Sequence, residues 1–195
     1  MRVVVVFPTH LEAAPFEQRV AEGKCVAEVV ICGVGMAECG AGVARCVRES
    51  APDMVVLAGV AGSYTPTLQF GDTVTVAEEC VADLGRVESW TELDGERFTP
   101  LFTKHYSLSD LAEGLVVVRS NTVNGCGVPY ARCAEAEIEN MEGAAFVAIA
   151  RALNLRCMEV RTISNQVGER FSREDVEPCA EVLADQLCQI LNNLN

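Results

Sequence analysis

The chain has 195 residues, half of them hydrophobic, and a formal net charge of −13. A field of that sign repels nucleic acids and anionic membranes, so neither is an expected partner. The length and the apolar fraction predict a single domain over residues 1–195 with a sizeable core.

The apolar run over residues 3–7 stops at Pro8 and is too short for a secretory signal or a membrane span. The ten cysteines include no C-x-x-C pair, and there are two histidines, so zinc and redox motifs lack their spacing. We therefore expect a cytoplasmic protein with reduced thiols that needs no metal and no organic cofactor.

Short β-branched runs alternate with segments of helical periodicity along the chain. Strands are predicted over residues 2–7, 27–32, 54–58, 73–78, 115–119 and 156–163, and helices over 36–50, 143–153 and from about 174 or 181 to 194. This alternation predicts an α/β fold with helices around a central, mostly parallel or mixed sheet. Residues 86–111 have little periodicity, which predicts a loop over a site.

Two glycine-rich turns follow predicted strands. Gly33-Val34-Gly35 precedes a helix, where backbone amides favour an anionic or polar ligand group. Its glycine spacing does not fit a dinucleotide motif, and a P-loop lysine is missing. Gly59 and Val60 stand where the third strand opens into small residues, which indicates close approach of a ligand or of another backbone. Tight turns with close packing explain both segments equally well.

Four polar residues stand at strand ends or within apolar sequence. Glu12 follows the first strand, at the sheet edge where ligands bind, although a carboxylate in the first turn of a helix is the alternative. Glu142 is flanked by apolar residues where a strand meets an Ala-rich helix, so its burial needs compensation. Arg161 lies in an apolar strand, and structural pairing with Glu142 or Glu159 is the alternative to a functional role. Asn165 ends that strand, with a plain turn as the alternative.

Five ordered segments resemble the nucleoside phosphorylase and nucleosidase superfamily. They are Gly33-Val34-Gly35, Ala58-Gly59-Val60-Ala61-Gly62, Gly71-Asp72, Met141-Glu142-Gly143-Ala144-Ala145 and Arg161-Thr162-Ile163-Ser164-Asn165. The resemblance covers nearly the whole chain and implies a three-layer α/β/α sandwich around a mixed, partly barrel-like sheet. It also implies a homo-oligomer, a dimer or larger, that acts on a small purine nucleoside.

Within the superfamily, three segments resemble the futalosine hydrolases, which are nucleosidases of menaquinone biosynthesis. The segments lie at residues 11–15, 83–85 and 163–170. This resemblance implies hydrolysis of the N-glycosidic bond of futalosine, with release of hypoxanthine and dehypoxanthine futalosine.

The resemblance also implies a role for each candidate residue. Glu12 activates a water molecule that Arg161 helps to orient. Glu142 binds the ribose hydroxyls and stabilises the positive charge that develops on the sugar. Asn165 holds the departing base. The predicted substrate contacts are Met141, which packs on the sugar, and Gly59, Val60, Val123 and Asn124.

Two positions bear on the substrates. Adenine-cleaving members of the superfamily have an aspartate at the position of Asn165, whereas an asparagine amide can donate to O6 or N7 of a 6-oxopurine. Residues 55–59 contain no arginine that could hold phosphate, so water is the expected nucleophile. The serine that many nucleosidases have at the position of Val60 is absent. A neutral amide cannot act as a general acid, so the route of the proton to the leaving base stays open.

Three alternatives remain at this point. A methylthioadenosine or adenosylhomocysteine nucleosidase is disfavoured by Asn165, and a purine nucleoside phosphorylase by the missing arginine. A nucleoside-binding protein without turnover is disfavoured by the joint presence of Glu12, Glu142 and Arg161. Residues 86–111 are short for the superfamily, which is consistent either with lost activity or with a site completed by a neighbouring subunit.

Overall fold

The computed structural model describes residues 1–83, 85–87, 98–100, 105–125, 135–169 and 172–194, which form ten strands, four α-helices and one 3₁₀ helix. In chain order they are β1 (Val3–Phe7), α1 (His10–Ala21), β2 (Glu28–Ile31), α2 (Gly35–Ser50), β3 (Met54–Ser63), β4 (Thr73–Val81), β5 (Gly85–Val87), β6 (Phe98–Pro100), β7 (His105–Ser107), β8 (Val116–Thr122), β9 (Ile138–Asn140), α3 (Gly143–Ala152), β10 (Arg156–Gln166), the 3₁₀ helix Arg173–Asp175 and α4 (Val176–Asn193).

Strand β1 is apolar at every position and is buried along its whole length. A strand without polar alternation is expected where a parallel sheet is covered on both faces. It pairs in parallel with β2 on one side and with β3 on the other. The predicted βαβ arrangement at the start of the chain is therefore confirmed.

Beyond β3 the sheet curves and closes on itself. Strand β3 pairs in parallel with β10, β10 pairs antiparallel with β4, and β4 pairs in parallel with β8. Strand β9 completes the ring by pairing in parallel with β8 and antiparallel with β3. The α/β class and the mixed, partly barrel-like sheet are therefore confirmed, and the three-layer sandwich stays a prediction.

The helices cover the sheet in two pairs. Helices α1 and α4 pack on each other and enclose a core that contains Phe7, Phe16 and Leu187. Helices α2 and α3 pack on each other over a second core, in which Val43 and Phe146 are buried. Because apolar residues recur at helical spacing in α4, its position was predictable from the sequence.

Four strands run further than the apolar pattern predicts. Strand β3 continues to Ser63, β4 to Val81, β8 to Thr122 and β10 to Gln166. Most of the additional residues are small or polar, so they interrupt the β-branched runs on which strand prediction depends. The extensions of β3 and β10 lie side by side, because these two strands are parallel and in register.

The predicted loop over residues 86–111 is wrong for the part that the structure describes. Strands β5 and β6 pair antiparallel, and β7 pairs antiparallel with β4. Residues 84, 88–97 and 101–104 lie outside the described residues, so much of the predicted loop falls outside them. Residues 126–134, 170–171 and 195 also lie outside the described ranges.

One cysteine pair departs from the expected reduced thiols. Cys25, after α1, forms a disulfide with Cys188 of α4, and their Cα atoms are 5.2 Å apart. The pairing joins residues 163 positions apart, so no spacing rule could reveal it. The six other cysteines in the described ranges are buried. None of the helices in the described part of the chain is both long and apolar enough to cross a membrane.

Candidate active site

A cavity of about 580 Å³ opens at the carboxyl ends of β1, β3 and β10. These strands are parallel neighbours, and the shared carboxyl edge of such a sheet is where ligands bind. The cavity is lined by Pro8, Thr9, Leu11, Glu12, Val34, Val60, Ala61, Gly62, Glu139, Asn140, Met141, Glu142, Ser164, Asn165, Arg173 and Val176.

Glu12 lies in the first turn of α1, with Thr9 as the N-cap. Thr9 Oγ1 donates to Glu12 Oε2 at 2.6 Å, and the Val60 amide donates to Oε1 at 3.0 Å. Burial raises the pKa of Glu12 above its ordinary value, and these hydrogen bonds and Arg161 only partly oppose it. The residue is therefore both a first-turn carboxylate and a cavity group, and its raised pKa suits a general base.

Glu142 immediately precedes α3 and connects two sequence motifs. Its Oε1 accepts from the Gly35 amide at 2.9 Å, and its Oε2 lies 3.4 Å from Arg161 Nη1. Gly35 has a φ of 84°, in the left-handed region that glycine tolerates. The Gly33-Val34-Gly35 turn does present a backbone amide to an anionic group, as predicted, but that group is a protein carboxylate.

Arg161 is buried behind the cavity and makes both of the pairings named as structural alternatives. Its Nε donates to Glu159 Oε1 at 2.8 Å, and Nη1 approaches Glu142 Oε2 at 3.4 Å. Nη2 donates to Asn140 Oδ1 at 3.1 Å, and Nη1 to the Val60 carbonyl at 3.4 Å. A guanidinium held by this many acceptors is fixed in position, as a group that orients others must be.

Gly59 lies where the side chains of Glu12 and Arg161 approach each other. A Cβ atom at this position would lie 2.7 Å from Arg161 Nη1 and 2.8 Å from Glu12 Oε1. Any larger residue would therefore push the two charged groups apart. Gly59 was predicted as a substrate contact, but it does not line the cavity; it provides the space in which the two side chains meet.

Asn140 is the hub of the network behind the cavity, and sequence reasoning missed it. Its Oδ1 accepts from the amides of Glu142 and Gly143, each at 2.8 Å, as well as from Arg161. Its Nδ2 donates to Glu79 Oε1 at 2.6 Å. One amide thereby fixes the start of α3, the guanidinium and a second buried carboxyl group.

Glu79 of β4 was also missed. It is fully buried, and Thr122 Oγ1 donates to its Oε2 at 2.6 Å. Burial, and then the nearby charge of Glu159, raise the pKa of Glu79 well above its ordinary value. The raised pKa favours a protonated Glu79, whose O–H would be a donor for Glu159 Oε2, an atom that has no N–H or hydroxyl donor within the described part of the chain. Gly143 makes this approach feasible, because a Cβ there would collide with both carboxyl groups.

Asn165 lies in β10 just after a register shift, and its side chain lines the cavity. Its Oδ1 accepts from Ser164 Oγ at 3.0 Å, and its Nδ2 donates to the Gln166 carbonyl at 3.1 Å. These two bonds orient the amide and leave one N–H of Nδ2 for another acceptor.

The predicted substrate contacts separate into two groups. Val60 and Met141 line the cavity, whereas Val123 and Asn124 do not. Val123 is fully buried beside Met141, and Asn124 is exposed and hydrogen-bonded to Asp83. Strand β8 ends at Thr122, and neither of the two residues that follow it belongs to the cavity lining.

No group of three or more His, Cys, Asp or Glu side chains with a metal-binding arrangement occurs among the residues that the structure describes. The buried carboxyl groups of Glu142 and Glu159 pair with Arg161 instead.

Comparison with known proteins agrees with this architecture. The family model described as the phosphorylase superfamily matches residues 9–194. A futalosine hydrolase of Thermus thermophilus is 32% identical over 154 residues, covering 71% of this chain and 68% of the relative.

Two solved structures share the fold. The futalosine hydrolase of Helicobacter pylori superposes with a TM-score of 0.80 at 14% identity, covering 99% of this chain and 98% of that one. The 5′-methylthioadenosine/S-adenosylhomocysteine nucleosidase of Helicobacter pylori, with butyl-thio-DADMe-Immucillin-A, gives 0.78 at 16% identity and the same coverage. The chain belongs to the phosphorylase superfamily.

Proposed function

We propose that this protein hydrolyses the N-glycosidic bond of futalosine and releases hypoxanthine and dehypoxanthine futalosine. The identity to the Thermus thermophilus enzyme supports this substrate. The observation that carries the chemistry is the convergence of Glu12, Glu142 and Asn165 on one cavity at the carboxyl edge of the sheet. They supply a base for water, an anion for the sugar and an amide for the purine.

Glu142 acts on the ribose. Its carboxylate is fixed by the Gly35 amide and by Arg161, so it does not need to reorganise when the sugar becomes positively charged. Cleavage of a glycosidic bond passes through an oxocarbenium-like state, and an anion fixed nearby stabilises that state more than the neutral substrate. Met141, which lines the same part of the cavity, packs on the sugar.

Glu12 acts on water. A raised pKa keeps a carboxylate basic enough to accept a proton from water as the bond to the sugar forms. The Val60 amide and the Thr9 hydroxyl hold the carboxylate toward the cavity. Arg161, across Gly59, stabilises the ionised form. Arg161 is thus a positioning residue for both Glu12 and Glu142.

Water is favoured over phosphate as the nucleophile because Arg161, the buried cation behind the cavity, is engaged by groups of the protein itself. The N–H groups of Arg161 are directed at Glu159, Glu142 and Asn140, which satisfies them within the protein. Arg173, which also lines the cavity, is exposed and belongs to the 3₁₀ helix before α4, far along the chain from the third-strand arginine typical of phosphorylases.

The direct test is product identification. The protein is incubated with futalosine, inosine or methylthioadenosine, each with and without phosphate, and the released base and sugar are separated by chromatography and identified by mass. We expect hypoxanthine from futalosine at a rate that phosphate does not change. Strict dependence on phosphate would contradict hydrolysis, and binding without any product would favour a nucleoside-binding protein.

A methylthioadenosine/adenosylhomocysteine nucleosidase is the second candidate, because solved nucleosidases of that kind share the fold. Release of adenine from methylthioadenosine in the same assay would favour it. Homo-oligomerisation, as a dimer or larger, stays a prediction from the superfamily resemblance, and light scattering coupled to size-exclusion chromatography would test it.

A further inference from the structure

The base end of the cavity is built around Gly62. In the closed ring, Asn165 of β10 and Glu139 of β9 are the register partners of Gly62 on its two sides. Side chains of directly opposite residues in neighbouring strands point to the same face of a sheet. All three residues line the cavity, so the amide and the carboxylate stand on either side of a position that has no side chain.

The absence of a side chain at Gly62 creates a slot. A Cβ atom there would lie 3.5 Å from Asn165 Nδ2, 3.5 Å from Glu139 Cγ and 3.0 Å from Val167 Cγ2. Because Gly62 has no side chain, Asn165 and Glu139 approach each other closely across it, and the slot lies between them at the wall of the cavity. A planar heterocycle with hydrogen-bonding atoms along one edge can contact both polar groups from the cavity.

Glu139 is held in place from behind. It is 4% exposed, and Tyr64 Oη donates to its Oε2 at 2.6 Å. Asn121 Nδ2 in turn donates to Tyr64 Oη at 3.3 Å. A carboxylate has about four lone-pair positions, so Glu139 can accept from a ligand in addition to the contacts that hold it. Its burial makes each hydrogen bond that it accepts matter more.

Purine bases differ in the edge that they would present to these groups. A 6-oxopurine has an acceptor, O6, next to a donor, N1–H, whereas adenine has a donor, the 6-amino group, next to an acceptor, N1. The remaining N–H of Asn165 Nδ2 complements O6, and a carboxylate complements N1–H. Toward adenine both pairings are mismatched, and a carboxylate facing the N1 lone pair is repulsive.

We propose that Glu139 is a specificity-determining residue that accepts a hydrogen bond from N1–H of the 6-oxopurine while Asn165 donates to O6. The proposal rests on the proposed function, since it takes a purine nucleoside to occupy this cavity. It adds a second contact to the base, from a strand on the opposite side of Gly62. Discrimination against 6-aminopurines then depends on two residues from different strands.

The first experiment compares Glu139→Gln with wild type. The ratio of kcat/KM for futalosine to kcat/KM for its 6-amino analogue is measured in both. A glutamine can donate to N1 of a 6-aminopurine, so we expect this ratio to fall about 10- to 100-fold, the range for one hydrogen bond to a charged group. Glu135→Gln is the matched control, because Glu135 is exposed and pairs with Arg119 outside the cavity. An unchanged ratio in a folded Glu139→Gln protein overturns the proposal.

A second experiment needs no variant. Futalosine methylated at N1 lacks the proposed donor and places a methyl group against Glu139. We expect wild-type enzyme to lose at least about 10-fold in kcat/KM for it, consistent with loss of the same bond. Equal rates for the methylated and unmethylated substrates overturn the proposal even where Glu139→Gln does not fold.

A failure of the proposed hydrolysis can be distinguished from a failure of the role proposed for Glu139. If wild-type protein leaves futalosine intact, hydrolysis itself is refuted, and the slot is tested by calorimetry with hypoxanthine and 1-methylhypoxanthine. Preferential binding of hypoxanthine supports the role of Glu139, and equal binding of the two bases, or binding of neither, contradicts it.

Discussion

The side chains at the two ends of the cavity are positioned by different kinds of interaction. At the ribose end, Glu142, Arg161 and Glu159 are buried charges that fix one another through ion pairs. At the base end, Asn165 and Glu139 are placed by strand register around Gly62. The first arrangement depends on the electrostatic balance of its members, and the second depends on which residue stands at each strand position.

This difference predicts how the two ends respond to change. Removing one member of a buried ionic network leaves its partner uncompensated, so activity and folding stability are coupled there. At the base end, a substitution alters the hydrogen-bonding pattern while the backbone register remains. The ribose end should therefore tolerate little change, whereas the base end should be able to exchange one purine for another.

The largest expected effect is on turnover. Glu142→Ala removes the anion beside the developing sugar cation, and Glu12→Ala removes the base. Each should lower kcat by orders of magnitude, since a single preorganised group of this kind contributes about 10²–10³-fold. Steady-state kinetics measure the effect, and circular dichroism verifies that the fold is kept. Wild-type rates in either folded variant contradict the assigned roles.

The next effect is on stability. Glu159→Gln leaves the buried guanidinium of Arg161 without its nearest carboxylate, at 2.8 Å in the native protein. Breaking a buried ion pair typically costs about 3–5 kcal/mol, so the free energy of unfolding should fall by that order. Urea denaturation measures it, with Glu135→Gln as the exposed control. Equal urea midpoints for Glu159→Gln and the control would show that the Glu159–Arg161 ion pair contributes nothing to folding stability.

A smaller effect, without loss of stability, is expected at the base end. Asn165→Asp replaces the donor toward O6 with an acceptor that suits a 6-amino group. The selectivity for futalosine over its 6-amino analogue should fall by about 1–3 kcal/mol, or roughly 10- to 100-fold in the kcat/KM ratio. The melting temperature should change little, because Asn165 is half-buried. A variant that loses stability and retains selectivity would reverse the contrast between the two ends.

The smallest effect is expected from Glu79→Gln. The raised pKa of Glu79 means that the folded protein retains a proton which the unfolded chain releases above its ordinary value of 4.5. Wild-type stability therefore falls as pH rises from that value through the raised pKa. Glutamine keeps a donor toward Glu159 without titrating, so turnover should stay close to that of wild type.

Unfolding free energies of the two proteins, measured between about pH 5 and pH 8, test this prediction. The difference should grow in favour of Glu79→Gln as pH rises, and parallel pH profiles contradict a protonated Glu79. Glu12 titrates in both proteins without a contribution from Glu79, so its effect cancels, whereas Glu159 interacts with Glu79 and its titration is part of the measured difference.

The sequence predicts those residues of the candidate site that belong to recognisable local motifs. Glu12, Glu142 and Asn165 each stand at a predicted strand end, and the structure brings all three to the cavity. Their proximity could not be derived from any one segment, since it depends on β1, β3 and β10 being parallel neighbours.

The network behind the cavity could not be predicted from the sequence, for a physical reason. Glu79 of β4 and Asn140 of β9 are 61 residues apart in the chain, and Glu159 is on a third strand, β10. Which residues of these strands are opposite each other depends on the closure of the ring, and no periodicity encodes that. The sign that the sequence offered was the presence of Glu159 and Arg161 in one apolar strand, whereas Glu79 lies one residue beyond the predicted end of β4.

Arg161 lies at unequal distances from its two carboxylate partners, and this affects the electrostatic potential in the cavity. The guanidinium is 2.8 Å from Glu159 and 3.4 Å from Glu142, so most of its charge is countered behind the wall. The N-terminus of α2 at Gly35, equivalent to about half a positive charge, only partly balances Glu142. If the sugar binds beside Glu142, as we propose, it meets a surface that remains net negative, which stabilises the cation that forms while the glycosidic bond is breaking.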